Sequence, residues 1–501
     1  MMKKQVTKLA GAVGLAAMIT ACGGGGSSSA VGTTVSDSGN GFVVFAAYDG
    51  AAVVARSATS RATIGGMELW KTNGSSAGTV KITDANGTGF TVAGYYMAEM
   101  NGKIYYPGED ASGEVELWVT DGTGEGTQRV KDIDQAGSSW PRDMVASEGK
   151  LYVNVFTSAA GRELLVTDGS EAGTELFDLE PLGASTNPVA LTPVSGGLFF
   201  YDQNDGEVYF SDGTLAGTGI VAQENQSIAS GSLAKYPELI IDDEWLGYQG
   251  KLLFTGRYNA SDAEIRLYEL DQNGNIREIS FDDGGNTVRL NITENVVTSN
   301  GKVYFVANSS VGLHIFEYDG STVSNLTSSE GSRPYHSSLV GTSLGVFMYV
   351  EMTGLPPYLL RVDNTNGAAG VGPALRGSGD YSFADVEGMV EVDGAIFFSA
   401  RTEGAGGSDF GIELWKTDGT QQGTDLVKDI NDTMAGADSY PYPLTFMYQM
   451  PPTVKRGLGR KYLFVANNGS EGFEPWVSDG SEAGTILLKD ISAGSGDSII
   501  D

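Results

Sequence analysis

The sequence has very little cysteine and histidine. Among 501 residues there are one cysteine and two histidines, His314 and His336. A lone cysteine forms no disulfide within the chain, and this set cannot supply a zinc site of the His/Cys type. A Ser-His-Asp hydrolase would have to use one of only two histidines. We therefore expect a fold that is held together by burial alone.

Basic residues are also scarce. Lysine and arginine together number 31 against 63 acidic residues, which gives a formal net charge of −32. A surface this acidic repels nucleic acid and anionic lipid headgroups, so we expect no nucleic-acid partner. A partner should be neutral or basic, or be bridged by divalent cations.

The third scarcity is of helical periodicity, because no stretch beyond the N-terminal segment shows a convincing period of 3.6 residues. Three lysines, at positions 3, 4 and 8, precede the mostly apolar stretch Leu9–Thr20. This stretch is shorter than the roughly 20 residues that a membrane-spanning helix needs. It has the character of the apolar region of an export signal.

The export segment ends in Ile19-Thr20-Ala21-Cys22, which contains the only cysteine. These residues resemble the bacterial lipoprotein box, in which cleavage precedes a lipidated cysteine. The resemblance implies a signal peptide over residues 1–21, lipidation at Cys22 and a Gly/Ser-rich tether over residues 22–40. It also implies an outer-membrane lipoprotein of a Gram-negative-type cell envelope, periplasmic or surface-exposed, that meets the membrane through its lipid.

One octapeptide is repeated along the rest of the chain. Glu413–Thr420 reads ELWKTDGT, and close or degenerate copies recur at intervals of 44 to 61 residues. The nine copies start at positions 68, 116, 163, 207, 266, 314, 358, 413 and 474. The copies at 266, 314 and 358 are the weakest. A motif that recurs at this spacing indicates a structural module written once per repeat.

Each repeat reads as four short β-strands. The apolar residues alternate with period two, and turn signals bound each run. Repeats of about 50 residues with four strands are typical of a β-propeller. The sequence therefore predicts an all-β propeller over residues 41–501, with eight or nine four-stranded blades in one ring and no second domain.

The octapeptide itself has a physical explanation in this fold. Its Leu and Trp fall on opposite faces of a strand, and neighbouring blades cover both faces. Asp-Gly then makes a tight turn, because glycine accepts positive φ and aspartate bonds its own backbone. The tryptophans that we expect to be buried between blades are Trp70, Trp118, Trp415 and Trp476.

The chain resembles the bacterial ELWxxDGT-repeat family, which is named for this motif. The motif is intact at Glu116–Thr123 and Glu413–Thr420, with close copies at 68, 163, 207 and 474. The resemblance extends over most of residues 41–491 and is weak from about 221 to 400. Membership implies an exported, repeat-built β-protein and no established activity.

Acidic residues of the repeats have two interpretations. The turn aspartates are weak candidates for Ca²⁺ ligands, since each loop offers one carboxylate among Gly and Thr. They are Asp121, Asp168, Asp212, Asp418 and Asp479. We favour the turn role, and no other cofactor is indicated. The repeated glutamates at 68, 116, 163, 413 and 474 are expected to bond nearby backbone or a lysine.

Departures from the repeat are the best guide to binding, because loops that differ between modules usually carry function. Two insertions, Ala222–Gly250 and Asn431–Arg460, concentrate aromatic residues beside polar ones. Exposed aromatics of this kind suit stacking on sugar rings or contact with protein. The candidate binding residues are Tyr236, Trp245, Tyr248, Tyr440, Tyr442 and Tyr448. The alternative is that they pack longer connections.

Two functions stay open from the sequence. The first is a monomeric, non-enzymatic binding or scaffold propeller for a protein or glycan partner. The second is an exported glycan-active hydrolase or lyase with carboxylates in the propeller channel. The scarcity of histidine, the uniform repeats and the tether favour the first, whereas a pair of carboxylates converging in one deep pocket, with an arginine or tyrosine nearby, would favour the second. His314 takes the glutamate position of a weak copy, which suggests a structural role. His336 lies at a predicted inter-unit strand and is a candidate for a rim or channel role.

Overall fold

The computed structural model describes most of the repeat region. The described residues are 43–48, 67–83, 91–93, 96–180, 185–223, 240–258, 261–293, 295–309, 312–326, 339–352, 355–363, 370–371, 382–403, 410–443, 457–458, 461–495 and 497–498. Cys22, the predicted signal peptide and the tether lie outside these residues. Every regular element in the described residues is a β-strand, so the prediction of an all-β chain is confirmed there.

The strands form nine successive sheets and one extra ribbon within the described residues. Sheet 1 contains β1 (Val43–Tyr48), β2 (Met67–Thr72) and β3 (Val80–Lys81). Sheet 2 contains β4 (Thr91–Val92), β5 (Ala98–Met100), β6 (Lys103–Glu109), β7 (Val115–Thr120) and β8 (Gln128–Arg129). Sheet 3 contains β9 (Arg142–Ser147), β10 (Lys150–Thr157), β11 (Gly161–Thr167) and β12 (Thr174–Phe177).

Sheets 4 to 6 continue this order. Sheet 4 contains β13 (Pro188–Val194), β14 (Gly197–Asp202), β15 (Glu207–Ser211) and β16 (Thr218–Gln223). Sheet 5 contains β17 (Ile240–Tyr248), β18 (Lys251–Arg257), β19 (Arg266–Leu270) and β20 (Ile276–Glu278). The ribbon is β21 (Phe281–Asp283) with β22 (Asn286–Val288). Sheet 6 contains β23 (Asn291–Ile292), β24 (Val297–Ser299), β25 (Lys302–Ser309), β26 (Gly312–Tyr318) and β27 (Val323–Asn325).

Sheets 7 to 9 complete the described chain. Sheet 7 contains β28 (Leu339–Thr342), β29 (Gly345–Met352), β30 (Leu355–Asp363) and β31 (Gly370–Val371). Sheet 8 contains β32 (Ser382–Val392), β33 (Ala395–Glu403), β34 (Ile412–Thr417) and β35 (Asp425–Lys428). Sheet 9 contains β36 (Tyr442–Pro443), β37 (Gly457–Leu458), β38 (Lys461–Asn467), β39 (Phe473–Ser478) and β40 (Ile486–Leu487).

Each of the nine sheets is an antiparallel meander whose strands pair in chain order. In sheets 2, 6 and 9 the first strand is in two pieces that both pair with the next strand. All nine octapeptide copies begin on equivalent strands, namely the third strand of each four-stranded unit and the second described strand of sheet 1. Successive meanders of this kind are the blade architecture of a β-propeller.

The core lies between sheets. Leu117 and Val119 of sheet 2 pack with Leu151 and Val153 of sheet 3 in one cluster, and similar clusters join the following sheets. Both faces of a strand are therefore buried, which explains why the octapeptide can be apolar on both. First strands of successive sheets also lie against one another, as β9 does against β13 and β13 against β17.

The stack of sheets has two faces at which the strands end, and these faces carry different turns. Because the four strands of a sheet alternate in direction, the turn between the second and third strands lies on the same face as the connection to the next sheet. We call this face the linker face. The Asp-Gly turns lie on the opposite face, which we call the Asp-Gly face.

Lysines join neighbouring sheets on the Asp-Gly face. Lys71 of sheet 1 donates to the Gly122 carbonyl of sheet 2, and Lys150 and Lys416 make the same bond to Gly213 and Gly480 of the next sheets. The described residues include no helix of the length and hydrophobicity needed to span a bilayer.

The first and last sheets are also in contact. Trp70 of sheet 1 packs in one cluster with Leu463 and Val477 of sheet 9. Lys461 Nζ of sheet 9 donates to the Gly74 carbonyl of sheet 1 at 3.3 Å. This bond repeats, between the two ends of the chain, the lysine–glycine contact of the inner pairs.

Candidate functional site

The turn aspartates bond within their own loops. Asp121 Oδ1 accepts hydrogen bonds from the backbone N–H of Thr123 at 2.9 Å and from its hydroxyl at 2.6 Å. The same pair of bonds forms at the other four aspartates that the sequence suggested as Ca²⁺ ligands, Asp168, Asp212, Asp418 and Asp479. The hydrogen bond from Ser170 holds the pKa of Asp168 below its usual value. The five carboxylates belong to five different sheets, and the structure does not bring them together.

The repeated glutamates link sheets on the linker face. Glu116 accepts hydrogen bonds from the Ser139 hydroxyl at 2.6 Å and the Ser139 backbone N–H at 3.1 Å. Glu163 does the same with Thr186, at 2.7 Å to the hydroxyl and 3.1 Å to the N–H. These partners lie 23 residues further on, in the connection to the next sheet. We call this arrangement the glutamate latch.

Two further latches and one exception complete the set. Glu413 bonds Ser439 at 2.6 Å, and Glu474 bonds Ser498 at 2.6 Å. Burial raises the pKa of Glu413 to about 8 and that of Glu474 to about 7. Glu68 instead pairs with Lys81.

The residue that follows the latched hydroxyl has an unusual backbone. Trp140, Asn187 and Tyr440 have φ of 44°, 47° and 45°. Each precedes a proline, Pro141, Pro188 or Pro441. Trp140 is 47% exposed and Tyr440 is 46% exposed. Positive φ is uncommon for bulky residues and strains the backbone, so two large aromatics are held outward on the linker face at a conformational cost.

A polar network surrounds Trp140. Arg162 Nη1 donates to the Trp140 carbonyl at 3.2 Å and to Asn154 Oδ1 at 3.0 Å. Arg142 Nη2 donates to Asn187 Oδ1 at 2.6 Å. Burial, together with the charge of Arg142, lowers the pKa of Arg162 to about 10. The network therefore places the half-buried Arg162 guanidinium beside Trp140, whereas Asn154 is fully buried.

Tyr440 has a similar setting at the junction of sheets 8 and 9. Arg401 pairs with Asp438 at 3.0 Å and with Asp385 at 3.4 Å. Asp438 also accepts the Ile412 backbone N–H at 2.8 Å. A hydrogen bond to Asp438 raises the pKa of the Tyr440 phenol above its ordinary value.

Of the other five aromatic residues that were predicted to bind a partner, three are buried or half-buried and two lie outside the described residues. Tyr248 is only 7% exposed, packs in a core cluster and donates its hydroxyl to the Gly301 carbonyl at 2.8 Å. Its assignment as a candidate binding residue is therefore wrong, because it ends strand β17 and faces the next sheet. Trp245 is half-buried with its ring 5.9 Å from that of Tyr201, and Tyr442 is half-buried with its ring 5.9 Å from that of Phe473. Tyr236 and Tyr448 lie outside the described residues.

The bounds of the two predicted insertions also change. Residues 240–248 of Ala222–Gly250 form β17, the first strand of sheet 5, and are not inserted. Residues 442–443 and 457–458 of Asn431–Arg460 form the two pieces of the first strand of sheet 9. The sequence analysis did not include Trp140 among the candidate binding residues. The pattern that could have identified it is Ser-aromatic-Pro, which residues 139–141 share with residues 439–441.

The four repeat tryptophans lie at the sheet interfaces. Trp70, Trp415 and Trp476 are 8%, 1% and 5% exposed, and Trp118 is half-buried against the cluster of sheets 1 and 2. His314 is half-buried with its ring 6.2 Å from that of Phe316. His336 lies outside the described residues.

A pattern in the sequence resembles a hydrolase nucleophile elbow without its structure. Gly341–Gly345 has Gly-x-Ser-x-Gly spacing, but Ser343 lies in the two-residue turn between β28 and β29. The elbow requires a strand followed by a helix, and here a strand follows. Ser343 bonds Glu391 of sheet 8.

Three carboxylates converge at the junction of sheets 3 and 4. Carboxylate oxygens of Glu180, Asp202 and Glu207 all lie within 4.8 Å of one another. Tyr209 donates its hydroxyl to Glu207 Oε2 at 3.1 Å. Burial raises the pKa of Asp202 to about 6, with the charges of Asp205 and Glu207 adding to the effect.

No family model and no curated protein matches the chain. Similar solved structures include a prolyl endopeptidase, with 11% identity and a TM-score of 0.36 over 75% of this chain and 55% of that one. A puromycin-hydrolyzing peptidase of Mycobacterium tuberculosis has 12% identity and a TM-score of 0.37 over 75% and 59% of the two chains. The β-propeller domain of the Trilobed protease from Pyrococcus furiosus has 9% identity and a TM-score of 0.33 over 70% and 98%.

This chain therefore spans 55% and 59% of the length of the first two peptidases. We infer neither fold nor activity from similarities this distant.

Proposed function

We propose that the chain is a lipid-anchored, closed propeller of nine blades that binds a cell-envelope glycan without catalysing a reaction. The exposed, strained aromatics Trp140 and Tyr440 on the linker face carry this proposal. A protein ligand is the second candidate partner for the same surface.

Closure of the ring has support from both ends of the described chain. Nine sheets carry nine copies of the octapeptide at equivalent strands. Trp70 packs on sheet 9, and the bond from Lys461 to Gly74 repeats the contact of neighbouring blades. An open array would leave the apolar faces of its end sheets in water, which a ring avoids.

The chemistry around the two aromatics favours a sugar. An aromatic face stacks on the apolar face of a sugar ring, while neighbouring polar groups bond its hydroxyls. Arg162 lies beside Trp140, and Asp438 and Arg401 lie beside Tyr440. A neutral glycan also avoids the repulsion that the net charge of −32 would impose on an acidic ligand.

A glycan array followed by calorimetry on the positive glycan tests this function. Trp140→Ala and Tyr440→Ala, alone and together, should weaken binding by tenfold or more, as central aromatic anchors typically do. Leu215→Ala is the control, because Leu215 is 47% exposed but lies in an Asp-Gly loop. Equal affinities for the double variant and the parent would rule out this surface. Binding of envelope proteins and of no glycan would favour the second partner.

The enzymatic alternative draws on the three carboxylates at the junction of sheets 3 and 4. Paired carboxylates with a nearby tyrosine are the groups that a glycan-active hydrolase or lyase would use. Asp202 is wholly buried and Glu207 is 8% exposed, so a sugar ring would have to enter between packed sheets. We therefore rank this alternative second. Turnover of a glycan substrate that Asp202→Asn abolishes would establish it.

Anchoring at Cys22 and an outer-membrane location are part of the proposal. They depend on the lipoprotein-box residues Ile19-Thr20-Ala21-Cys22. In a bacterial host, metabolic labelling with a palmitate analogue should mark the parent chain and not Cys22→Ser. Equal labelling of the two would refute the anchor and leave the glycan test unaffected.

A further inference from the structure

The three carboxylates of sheets 3 and 4 come from separate elements. Glu180 lies in the connection after β12, Asp202 ends β14 and Glu207 begins β15. Asp202 and Glu207 are directly opposite in the strand pairing. Glu180 reaches the pair from the preceding sheet, so the cluster joins two sheets.

Asp202 departs from the pattern of the other sheets. Glu207 occupies the first position of its octapeptide copy, and in the other eight sheets the residue opposite that position is small or apolar. Those residues are Ala47, Gly108, Val155, Gly256, Ala307, Val350, Ala400 and Ala466. The blade fold therefore does not need a carboxylate there, and like charges opposite one another destabilise a sheet.

One oxygen of Asp202 lacks a donor. Asp202 is 0% exposed, and its Oδ1 accepts the Asn204 backbone N–H at 2.7 Å. Its Oδ2 has no hydrogen-bond partner among the described residues. A buried carboxylate oxygen without a donor or a cation is costly, and the charged groups nearest to it are also acidic.

We propose that Glu180, Asp202 and Glu207 bind a divalent cation, with Ca²⁺ preferred. Hard cations of this kind take carboxylate oxygens at about 2.3–2.6 Å for Ca²⁺, so two ligand oxygens around one ion lie up to about 5 Å apart. The observed limit of 4.8 Å fits that geometry. Glu180 is half-buried, which leaves one side for water ligands and for the ion to enter.

This cation site is independent of the proposed glycan surface. The turn aspartates already accept hydrogen bonds within their own loops. The cluster differs from them because it brings three carboxylates together and contains Asp202 Oδ2, which has no hydrogen-bond donor among the described residues. The ion would hold the connection from sheet 3 against sheet 4 in addition to the Glu163–Thr186 latch. Its predicted effect is on stability.

Calorimetric titration of CaCl2 into the chelator-treated full chain tests the site directly. The parent should show one saturable site, and Asp202→Asn and Glu180→Gln should each lose it. Asp202→Asn keeps the oxygen that accepts the Asn204 N–H. Asp205→Asn is the matched control, because it removes one charge from the same hairpin outside the cluster. Saturable binding that survives in both ligand variants would overturn the proposal, as would its absence from the parent.

Thermal unfolding supplies a second readout with opposite signs. In chelator, Asp202→Asn should unfold at the same temperature as the parent or higher, because it relieves repulsion with Glu207. In CaCl2 the unfolding temperature of the parent should rise above that of Asp202→Asn, since a ligand that binds the folded state stabilises it. An unfolding temperature of the parent that does not change when CaCl2 is added would contradict the proposed cation site. MgCl2 in place of CaCl2 should give a smaller rise, and an equal or larger rise would overturn the preference for Ca²⁺.

Discussion

At the scale of single residues, the Asp-Gly turn depends on an absent side chain as much as on its aspartate. The second glycine of the turn, Gly126 in sheet 2, lies against the carboxylate of Asp121. A Cβ at Gly126 would be 2.0 Å from Asp121 Oδ1. The same approach occurs at Gly173, Gly217, Gly423 and Gly484. This contact explains why the repeat continues as Asp-Gly-Thr-x-x-Gly.

Gly126→Ala should therefore destabilise the chain by about 1–3 kcal/mol, as overpacking usually does. Gly137→Ala is the control, because a Cβ there meets nothing within 4 Å. Urea unfolding of both variants measures the difference. Equal loss of stability in the two variants would show that the Asp121 contact is unimportant.

The buried latch glutamate of sheet 8 predicts a pH dependence. The folded-state pKa of Glu413 is raised from 4.5 to about 8, chiefly by burial. Between these values the folded chain holds a proton that the unfolded chain has released. Stability should therefore fall as pH rises through this window and level off above it, by on the order of a few kcal/mol.

Glu413→Gln should flatten this part of the pH profile. Glutamine is neutral and its carbonyl can still accept the bonds from Ser439 and Ile430. The free energy of unfolding, measured from pH 5 to pH 9, should decline less in the variant than in the parent. Glu171→Gln, on an exposed loop, is the control. A profile of the same slope in parent and Glu413→Gln would contradict the assignment.

At the scale of the strand, the third strands bind the sheets together. Trp415 on β34 is 1% exposed and packs at 5.1 Å from the ring of Phe383. It shares a cluster with Phe347 and Leu359 of sheet 7. The repeated Trp of the motif therefore contributes to the interface between sheets.

Trp415→Ala should cost about 3–5 kcal/mol of stability, as large core truncations do. Trp140→Ala should cost little, because that indole is 47% exposed. Chemical denaturation of the two variants gives the comparison. The prediction fails if the two substitutions cost the same.

Strand identity could be predicted well from the sequence, since the octapeptide marks the same strand in every sheet. Two features of the candidate sites could not be predicted from the sequence. The meeting of Glu180 with Asp202 depends on how one sheet packs on the next, and no spacing within a repeat reveals it. The exposure of the Trp140 side chain depends on a positive φ at that residue, which cannot be read from the amino-acid composition. Tyr248 was misjudged for a related reason, because the start of β17 was hidden in what looked like an insertion.

At the scale of the whole molecule, sheets 1 and 9 are neighbours. Trp70 is 8% exposed because sheet 9 covers it. Removing this indole should therefore weaken both ends of the chain together.

Trp70→Ala should speed amide hydrogen exchange in peptides from β38 and β39, although these lie far from residue 70 in sequence. Peptides from β18 of sheet 5 serve as the internal reference and should change least. Mass spectrometry measures both sets. Faster exchange confined to sheet 1 would show that the ends are not coupled.

Sheets 3 and 4, and sheets 8 and 9, are joined on both faces, by a lysine–glycine bond on the Asp-Gly face and by a glutamate latch on the linker face. These pairs of sheets have little freedom to slide or splay. A ligand of the proposed surface would therefore meet, at Tyr440, a junction of sheets 8 and 9 whose shape is already set. Association should then follow a single exponential whose rate rises linearly with ligand concentration, without the slow step that rearrangement of the receptor would add.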